Sequence, residues 1–118
     1  MPRELPVFSL WTETLGGLLD AVGRFPRSVR PTFGARIAEQ GLDVLERIVE
    51  LRYTKERPAL FREANLGLEK LRVLLRISFD RRLVSSRVYE HLAESIDRTG
   101  RMLGGWRRQE QQRGVTGS

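Results

Sequence analysis

The hydrophobic positions of this chain recur every three or four residues, which is the spacing of α-helices rather than of β-strands. They fall into four segments separated by short, polar connections with glycine or proline at several boundaries. The predicted helices cover about residues 7–22, 31–52, 58–80 and 86–108, with Ser85 or Ser86 as the cap of the fourth. Short connections make neighbouring helices antiparallel, so the pattern predicts an all-α, up-down-up-down antiparallel four-helix bundle.

The second predicted helix has an apolar half and an acidic half. Two neighbouring apolar stripes cover about half of its circumference. The second of these stripes consists of Ala38, Leu42, Leu45 and Val49. The acidic side consists of Glu39, Asp43, Glu46 and Glu50. These carboxylates are expected to lie in solvent, in salt bridges, or against a basic face of a neighbouring subunit in a head-to-tail ring.

The third predicted helix is apolar on two opposite sides. Its main stripe consists of Leu60, Ala64, Leu68, Leu71 and Leu75. Leu66, Val73 and Ile77 lie almost opposite that stripe, so a single bundle cannot bury both sides. We therefore expect Leu66, Val73 and Ile77 to form an oligomer interface.

The positive charge is concentrated in the second half of the sequence. The chain has a net charge of +6, and 19 of its 21 basic residues are arginine. Residues 1–50 have a net charge of −1, whereas residues 51–118 have a net charge of +7. This asymmetry is typical of a protein in which one half faces a polyanion.

Arginines on the third and fourth helices are the candidate nucleic-acid contacts, because spaced arginines on rigid helices can neutralise successive phosphates. The candidates are Arg72, Arg76, Arg81, Arg82, Arg98, Arg101 and Arg108. The alternative is that many of them form ion pairs on the bundle surface. Their potential partners are Glu69, Asp80, Glu94 and Asp97.

No residue pattern in the chain indicates catalysis. The chain has no cysteine, and His91 is its one histidine. It also lacks a Walker loop, a dinucleotide fingerprint and a Glu-x-x-His motif. We therefore expect a protein that is not an enzyme, with no cofactor, no metal and no small-molecule substrate. The chain has neither a membrane-length apolar run nor a signal peptide, so a cytoplasmic location without membrane contact is expected.

Three stretches resemble a known family: FPRSVRPTFGARI, LRVLLRISFD and YEHLAESIDRTGRMLGGWRR. The chain is similar over about residues 25–108 to the four-helix-bundle family of the accessory variability determinant of diversity-generating retroelements. Proteins encoded in intervening sequences of bacterial large-subunit rRNA genes are relatives in this family. The more specific matching patterns are Leu-Arg-x-x-Leu-Arg at 71–76 and Gly-Arg-Met-Leu-Gly-Gly-Trp at 100–106.

The resemblance implies a homopentameric ring that binds the retroelement reverse transcriptase and nucleic acid, RNA or DNA, and supports mutagenic retrohoming. The polymerase would carry out the chemistry, and Arg72 and Arg76 would occupy the basic positions of the third helix. The alternative is an rRNA intervening-sequence-type protein that acts as an oligomeric protein-binding scaffold. On either reading, residues 1–108 form one domain and residues 109–118 form a disordered polar tail.

Overall fold

The computed structural model describes residues 4–55 and 57–116, and this part of the chain consists of four α-helices without a strand. The helices are α1 (Glu4–Gly23), α2 (Ala35–Leu51), α3 (Arg57–Asp80) and α4 (Ser86–Thr116). One turn of π-helix, Arg30–Gly34, leads directly into α2. The predicted all-α class with four helices is confirmed.

The helices form an elongated bundle in which each helix packs against two neighbours. Helix α2 lies between α1 and α3, and α4 closes the bundle against both α3 and α1. Ion pairs from α3 to α4 join Arg57 to Glu110 and Arg72 to Asp97, so rising numbers on one helix meet falling numbers on the other. The α1–α2 connection (24–34) and the α3–α4 connection (81–85) therefore lie at the same end, here called the loop end. The molecule measures 54 × 23 × 21 Å.

Large apolar side chains from all four helices fill the core. Trp11, Leu71 and Ile96 have no exposed surface, and Trp11 Nε1 donates a hydrogen bond of 3.0 Å to the carbonyl oxygen of Gly41. The Phe61 and Trp106 rings meet edge to face, with centroids 5.3 Å apart. Burying a tryptophan costs less when its N–H is bonded, so the Trp11 bond joins α1 to α2 without an unpaired donor.

Glycines allow the helices to approach closely in the middle of the bundle. A Cβ atom on Gly41 would lie 2.7 Å from Leu15 Cδ1, and one on Gly67 would lie 2.7 Å from Val44 Cγ2. Both distances are below van der Waals contact, so larger side chains would force the helices apart.

The predicted end of the fourth helix near Arg108 was wrong, because α4 continues to Thr116. Residues 109–116, predicted to be disordered, are helical, and residues 117–118 lie outside the described residues. Arg57 binds Glu110 at 2.7 Å, which ties this extension to α3, and the glutamines and arginines around it are good helix formers. At the other end of α4, Ser85 is the cap, since its Oγ accepts a hydrogen bond of 3.2 Å from the Val88 amide.

The sequence predicts a polar linker at residues 24–30 between the first two helices. In the structure, side-chain contacts hold this α1–α2 connection in place. Phe25 is buried, and its ring lies 6.4 Å from that of Phe33 in a stacked arrangement. The Arg30 guanidinium donates hydrogen bonds of 3.2 and 3.0 Å to the Phe25 carbonyl oxygen. The predicted α-helical start at Pro31 or Thr32 is instead the π-turn, in which the Gly34 amide bonds to the Val29 carbonyl oxygen at 2.9 Å.

Candidate nucleic-acid interface

Arg72 lies between α3 and α4 and is bound on both sides by carboxylates. Its Nε donates to Asp97 at 2.7 Å, and its Nη1 contacts Glu69 on the same helix. Gly100 of α4 leaves room for this side chain, because a Cβ there would lie 3.2 Å from Arg72 Nη2. Arg72 therefore joins two helices, and much of its charge is already balanced.

Arg76 lies one turn further along α3 and belongs to an aromatic cluster. Its Nε donates to Asp80 at 3.1 Å, and its guanidinium carbon lies 6.0 Å from the centroid of the Phe79 ring. Phe79 in turn stacks on Tyr89 of α4 at 4.6 Å. The side-chain hydrogen bond with Tyr89, followed by the charge of Asp80, raises the pKa of Arg76 above its ordinary value.

Arg98 and Arg101 share one carboxylate on the outer surface of α4. Glu94 lies 3.9 Å from Arg98 and 3.7 Å from Arg101. All three side chains are more than half exposed, so these pairs contribute little to stability. Together with Arg72 and Arg76, they account for four of the seven candidate arginines, and each has one or more of the predicted acidic partners.

The three remaining candidates lack such a partner. Within the part of the chain that the structure describes, no carboxylate oxygen lies within 4.0 Å of Arg81, Arg82 or Arg108. All three are exposed. Arg81 and Arg82 lie at the loop end, whereas Arg108 lies near the other end of the bundle.

Arg82 has a left-handed backbone conformation, with φ of 60°. The Leu83 amide bonds to the Ser78 carbonyl oxygen at 2.8 Å, and the Arg82 amide bonds to the Phe79 carbonyl oxygen at 3.0 Å. These two bonds form the helix-ending Schellman motif, whose left-handed position is usually glycine. Arginine at this position costs about 1 kcal/mol of backbone strain relative to glycine.

Sequence reasoning missed five further arginines at the loop end. Arg24, Arg27, Arg30, Arg36 and Arg87 are all exposed there. None of them has a carboxylate oxygen within 4.0 Å among the described residues. Their proximity to Arg81 and Arg82 follows from the antiparallel topology, which was already predicted, so combining topology with charge would have found them.

A groove of about 400 Å³ opens between α1 and α4 at the loop end. Its lining is mainly apolar, with four polar side chains: Asp20, Arg24, Arg87 and His91. Arg24 of the α1–α2 connection and Arg87 of α4 therefore line one concave surface.

Charge is distributed unevenly along the bundle axis. The loop end, residues 18–37 and 74–92, has eight arginines and three carboxylates. The middle of the bundle, residues 9–17, 38–46, 64–73 and 93–103, is here called the waist, and it has four basic residues and seven acidic ones. The acidic residues of α2 at the waist, Glu39, Asp43 and Glu46, are exposed as predicted.

A comparison with known protein families gives one match over most of the chain. The family model described as bAvd-like matches residues 12–110, which includes most of all four helices. This chain belongs to the bAvd-like family. No curated protein and no solved structure was found to match the chain.

The resemblance to the accessory variability determinant is therefore confirmed at the level of the family. Proteins of the bAvd-like family are generally accessory and non-catalytic. In this bAvd-like chain, the described residues contain no group of three or more His, Cys, Asp or Glu side chains that could hold a metal ion. Across those same residues, no helix is both long and apolar enough to cross a membrane.

The bAvd-like chain also exposes two apolar stripes. The predicted stripe on α3 is exposed as expected, with 55% of Leu66, 58% of Val73 and 41% of Ile77 accessible. A second stripe consists of Leu42 and Val49, which lie seven residues apart on one face of α2, and Leu19 of α1 is exposed as well. Leu42 and Val49 had been placed in the apolar half of the second helix, but α1 covers only part of that half.

Proposed function

We propose that this chain is the non-catalytic accessory subunit of a diversity-generating retroelement, which binds the reverse transcriptase and nucleic acid and supports mutagenic retrohoming in the cytoplasm. The observation that carries this proposal is the bAvd-like match over residues 12–110, because it includes nearly the whole bundle. The chain itself contributes binding surfaces, and the polymerase carries out the chemistry.

The arrangement of charge supports nucleic acid as one partner. The chain has a net charge of +6, and arginine is the basic residue at 19 of 21 positions. Guanidinium groups bind phosphates through a planar pair of donors, which suits a polyanion. Such binding is steeply salt-dependent and largely independent of sequence.

The two exposed apolar stripes support a homo-oligomer, which we propose to be a pentameric ring. One stripe lies on α3 and the other on α2, so they are different surfaces of the same chain. When two different surfaces of the same chain meet, the contact is head-to-tail, and a head-to-tail contact that closes produces a ring. Leu66, Val73 and Ile77 would supply one side of that contact.

The ring is tested by the substitution Val73→Asp. A charge at the centre of a buried apolar contact should dissociate the oligomer, because the carboxylate would lose its hydration. Light scattering coupled to gel filtration gives the mass of the particle. Asn65→Asp is the matched control, since it places the same side chain on an exposed position of α3 outside the stripe. An oligomer that survives Val73→Asp would remove the α3 stripe from the interface.

Partner binding is tested with the purified full chain. We expect it to copurify with the reverse transcriptase of its proposed retroelement, and to retard RNA or DNA in a gel at about 50 mM salt but much less at about 200 mM. A ring that binds no nucleic acid at either salt concentration and no reverse transcriptase would instead favour the protein-binding scaffold of the rRNA intervening-sequence type.

A further inference from the structure

We infer that the loop end is the surface that contacts the phosphates of a bound nucleic-acid strand, and that the strand crosses both helix connections rather than following α3 and α4 along the waist. This inference rests on the nucleic-acid binding in the proposed function and assigns it to a site. The phosphate contacts come from Arg24, Arg27, Arg81, Arg82 and Arg87, with Arg30 and Arg36 beside them.

The guanidinium groups at the loop end are available to a phosphate. Arg72, Arg76, Arg98 and Arg101 each have a carboxylate within 4.0 Å, which a phosphate would have to displace. The five arginines named above as contacts have no such partner among the described residues. Of the three carboxylates at the loop end, Asp80 already binds Arg76. A phosphate at the loop end therefore meets unbalanced positive charge.

The strained backbone of Arg82 also supports a binding role for the loop end. Its φ of 60° belongs to a position that glycine occupies without strain, yet the residue there is an exposed arginine. Strained residues cluster at functional sites, so an observed outlier motivates a functional hypothesis. Arg82 makes no ion pair with any described carboxylate, so intramolecular bonding does not explain it.

Several contacts hold the α1–α2 connection in one conformation. The buried Phe25 ring anchors it, and the Arg30 guanidinium closes it by bonding to the Phe25 carbonyl oxygen. Gly34 packs tightly here, because a Cβ on it would lie 2.9 Å from Val22 Cγ1. Arginines on a pre-organised backbone lose less conformational entropy when they bind a ligand than arginines on a mobile loop.

The groove between α1 and α4 extends this surface along one side of the bundle. Arg24 and Arg87 both line it, one from each side of the groove, and His91 lies beside them. Successive phosphates of one strand could engage Arg24 and Arg87 in turn, because each nucleotide contributes one negative charge. The groove thus brings Arg24 of the α1–α2 connection and Arg87 of the first turn of α4 to one surface, with Asp20 as the one carboxylate in its lining.

The test compares three variants that each lose three positive charges. The loop-end variant is Arg24→Gln, Arg82→Gly and Arg87→Gln. The waist variant is Lys70→Gln, Arg98→Gln and Arg101→Gln. The opposite-end variant is Arg52→Gln, Lys55→Gln and Arg108→Gln. Equal net charge in the three proteins means that any difference between them reports the position of the charge.

Binding is measured by fluorescence anisotropy with mixed-sequence single-stranded RNA and DNA of about 20 nucleotides, which exceeds the roughly 4–16 nucleotides that a small domain covers. Titrations run from about 50 to 200 mM salt. The loop-end variant should lose more than about tenfold in affinity, and its salt slope should fall by about one for each phosphate contact removed. The other two variants should stay within about threefold of the unmodified protein.

Each other outcome overturns the inference in a recognisable way. Equal losses in all three variants would mean that only net charge matters, and a larger loss in the waist or opposite-end variant would move the site there. If the loop-end variant keeps its RNA and DNA binding but loses binding to polyglutamate, the surface binds an acidic protein. If the unmodified protein binds neither RNA nor DNA, the nucleic-acid part of the proposed function fails as well. Circular dichroism of the loop-end variant checks folding, and Arg82→Gly relieves strain rather than adding it.

Discussion

The arginines of the waist and those of the loop end lie in different surroundings. At the waist, Arg72 spans α3 and α4 between two carboxylates, and Gly100 leaves room for it. At the loop end, Arg81, Arg82 and Arg87 point outward without a described acidic partner. The difference teaches that an arginine's availability to a ligand depends on its neighbours in the fold, which spacing along one helix does not reveal.

The same comparison changes the meaning of the charge asymmetry in the sequence. The first 50 residues have a net charge of −1, yet four of their arginines lie at the loop end beside those of the second half. Four of the seven acidic residues in this half lie at the waist: Glu13, Glu39, Asp43 and Glu46. Positive charge therefore accumulates at the loop end, whereas the waist is acidic.

The largest expected effect concerns the tight packing of the waist. Gly67→Val should lower the free energy of unfolding by about 3 kcal/mol, because its Cβ would lie 2.7 Å from Val44 Cγ2. Chemical denaturation followed by circular dichroism measures this. Gly16→Val is the matched control, since no atom lies within 4 Å of the Cβ position there. A loss at Gly67 no greater than at Gly16 would show that the helices can separate at little cost.

The next effect concerns the strained end of α3. Arg82→Gly should raise the free energy of unfolding by about 1 kcal/mol, because glycine adopts a φ of 60° without strain. The melting temperature measured by thermal unfolding should rise by about 4 °C. Arg81→Gly removes the same charge from the neighbouring residue, which is not in the left-handed region, and should give no gain. Equal effects at the two positions would mean that repulsion between charges, and not backbone strain, controls stability here.

The smallest effect concerns the paired arginines of the waist. Asp97→Asn together with Glu94→Gln should change the free energy of unfolding by less than about 1 kcal/mol, because these ion pairs are exposed. Affinity for single-stranded RNA should rise about threefold, since Arg98 and Arg101 lose their carboxylate partner and Arg72 keeps only Glu69. Glu39→Gln together with Asp43→Asn is the control for net charge, since it removes two waist carboxylates that form no ion pair with a described basic residue. An equal rise in both double variants would show that pairing is not what keeps the waist arginines from binding.

Much of the fold could be predicted from hydrophobic spacing. Leu68 and Leu71 of α3 and Ile96 and Leu103 of α4 occupy the core faces that their periodicity indicated. The end of α4 could not be predicted, because the Arg57–Glu110 ion pair that supports it joins residues far apart in sequence. The π-turn before α2 was missed for a similar reason, since it depends on the buried Phe25 and the bond that Arg30 makes to it.

The candidate site was predictable only in part. The ion pairs of Arg72, Arg76 and Arg98 followed from helical spacing and from the facing helices, and their expected partners are the observed ones. The exposed α3 stripe also followed from periodicity. By contrast, the left-handed φ of Arg82 could not be predicted, because glycine is the residue that usually marks this conformation.

The loop end is assembled from two helix connections that lie about fifty residues apart in the sequence, so neither helical hairpin contains it alone. A polyanion that spans both connections can bind the folded chain but not the separated hairpins, and its binding energy then adds to the folding energy. At a ligand concentration about one hundred times its Kd, this linkage contributes about 2.7 kcal/mol. On the proposed binding mode, nucleic acid would stabilise the whole bundle, and the rise in the melting temperature would measure the occupancy of the loop end.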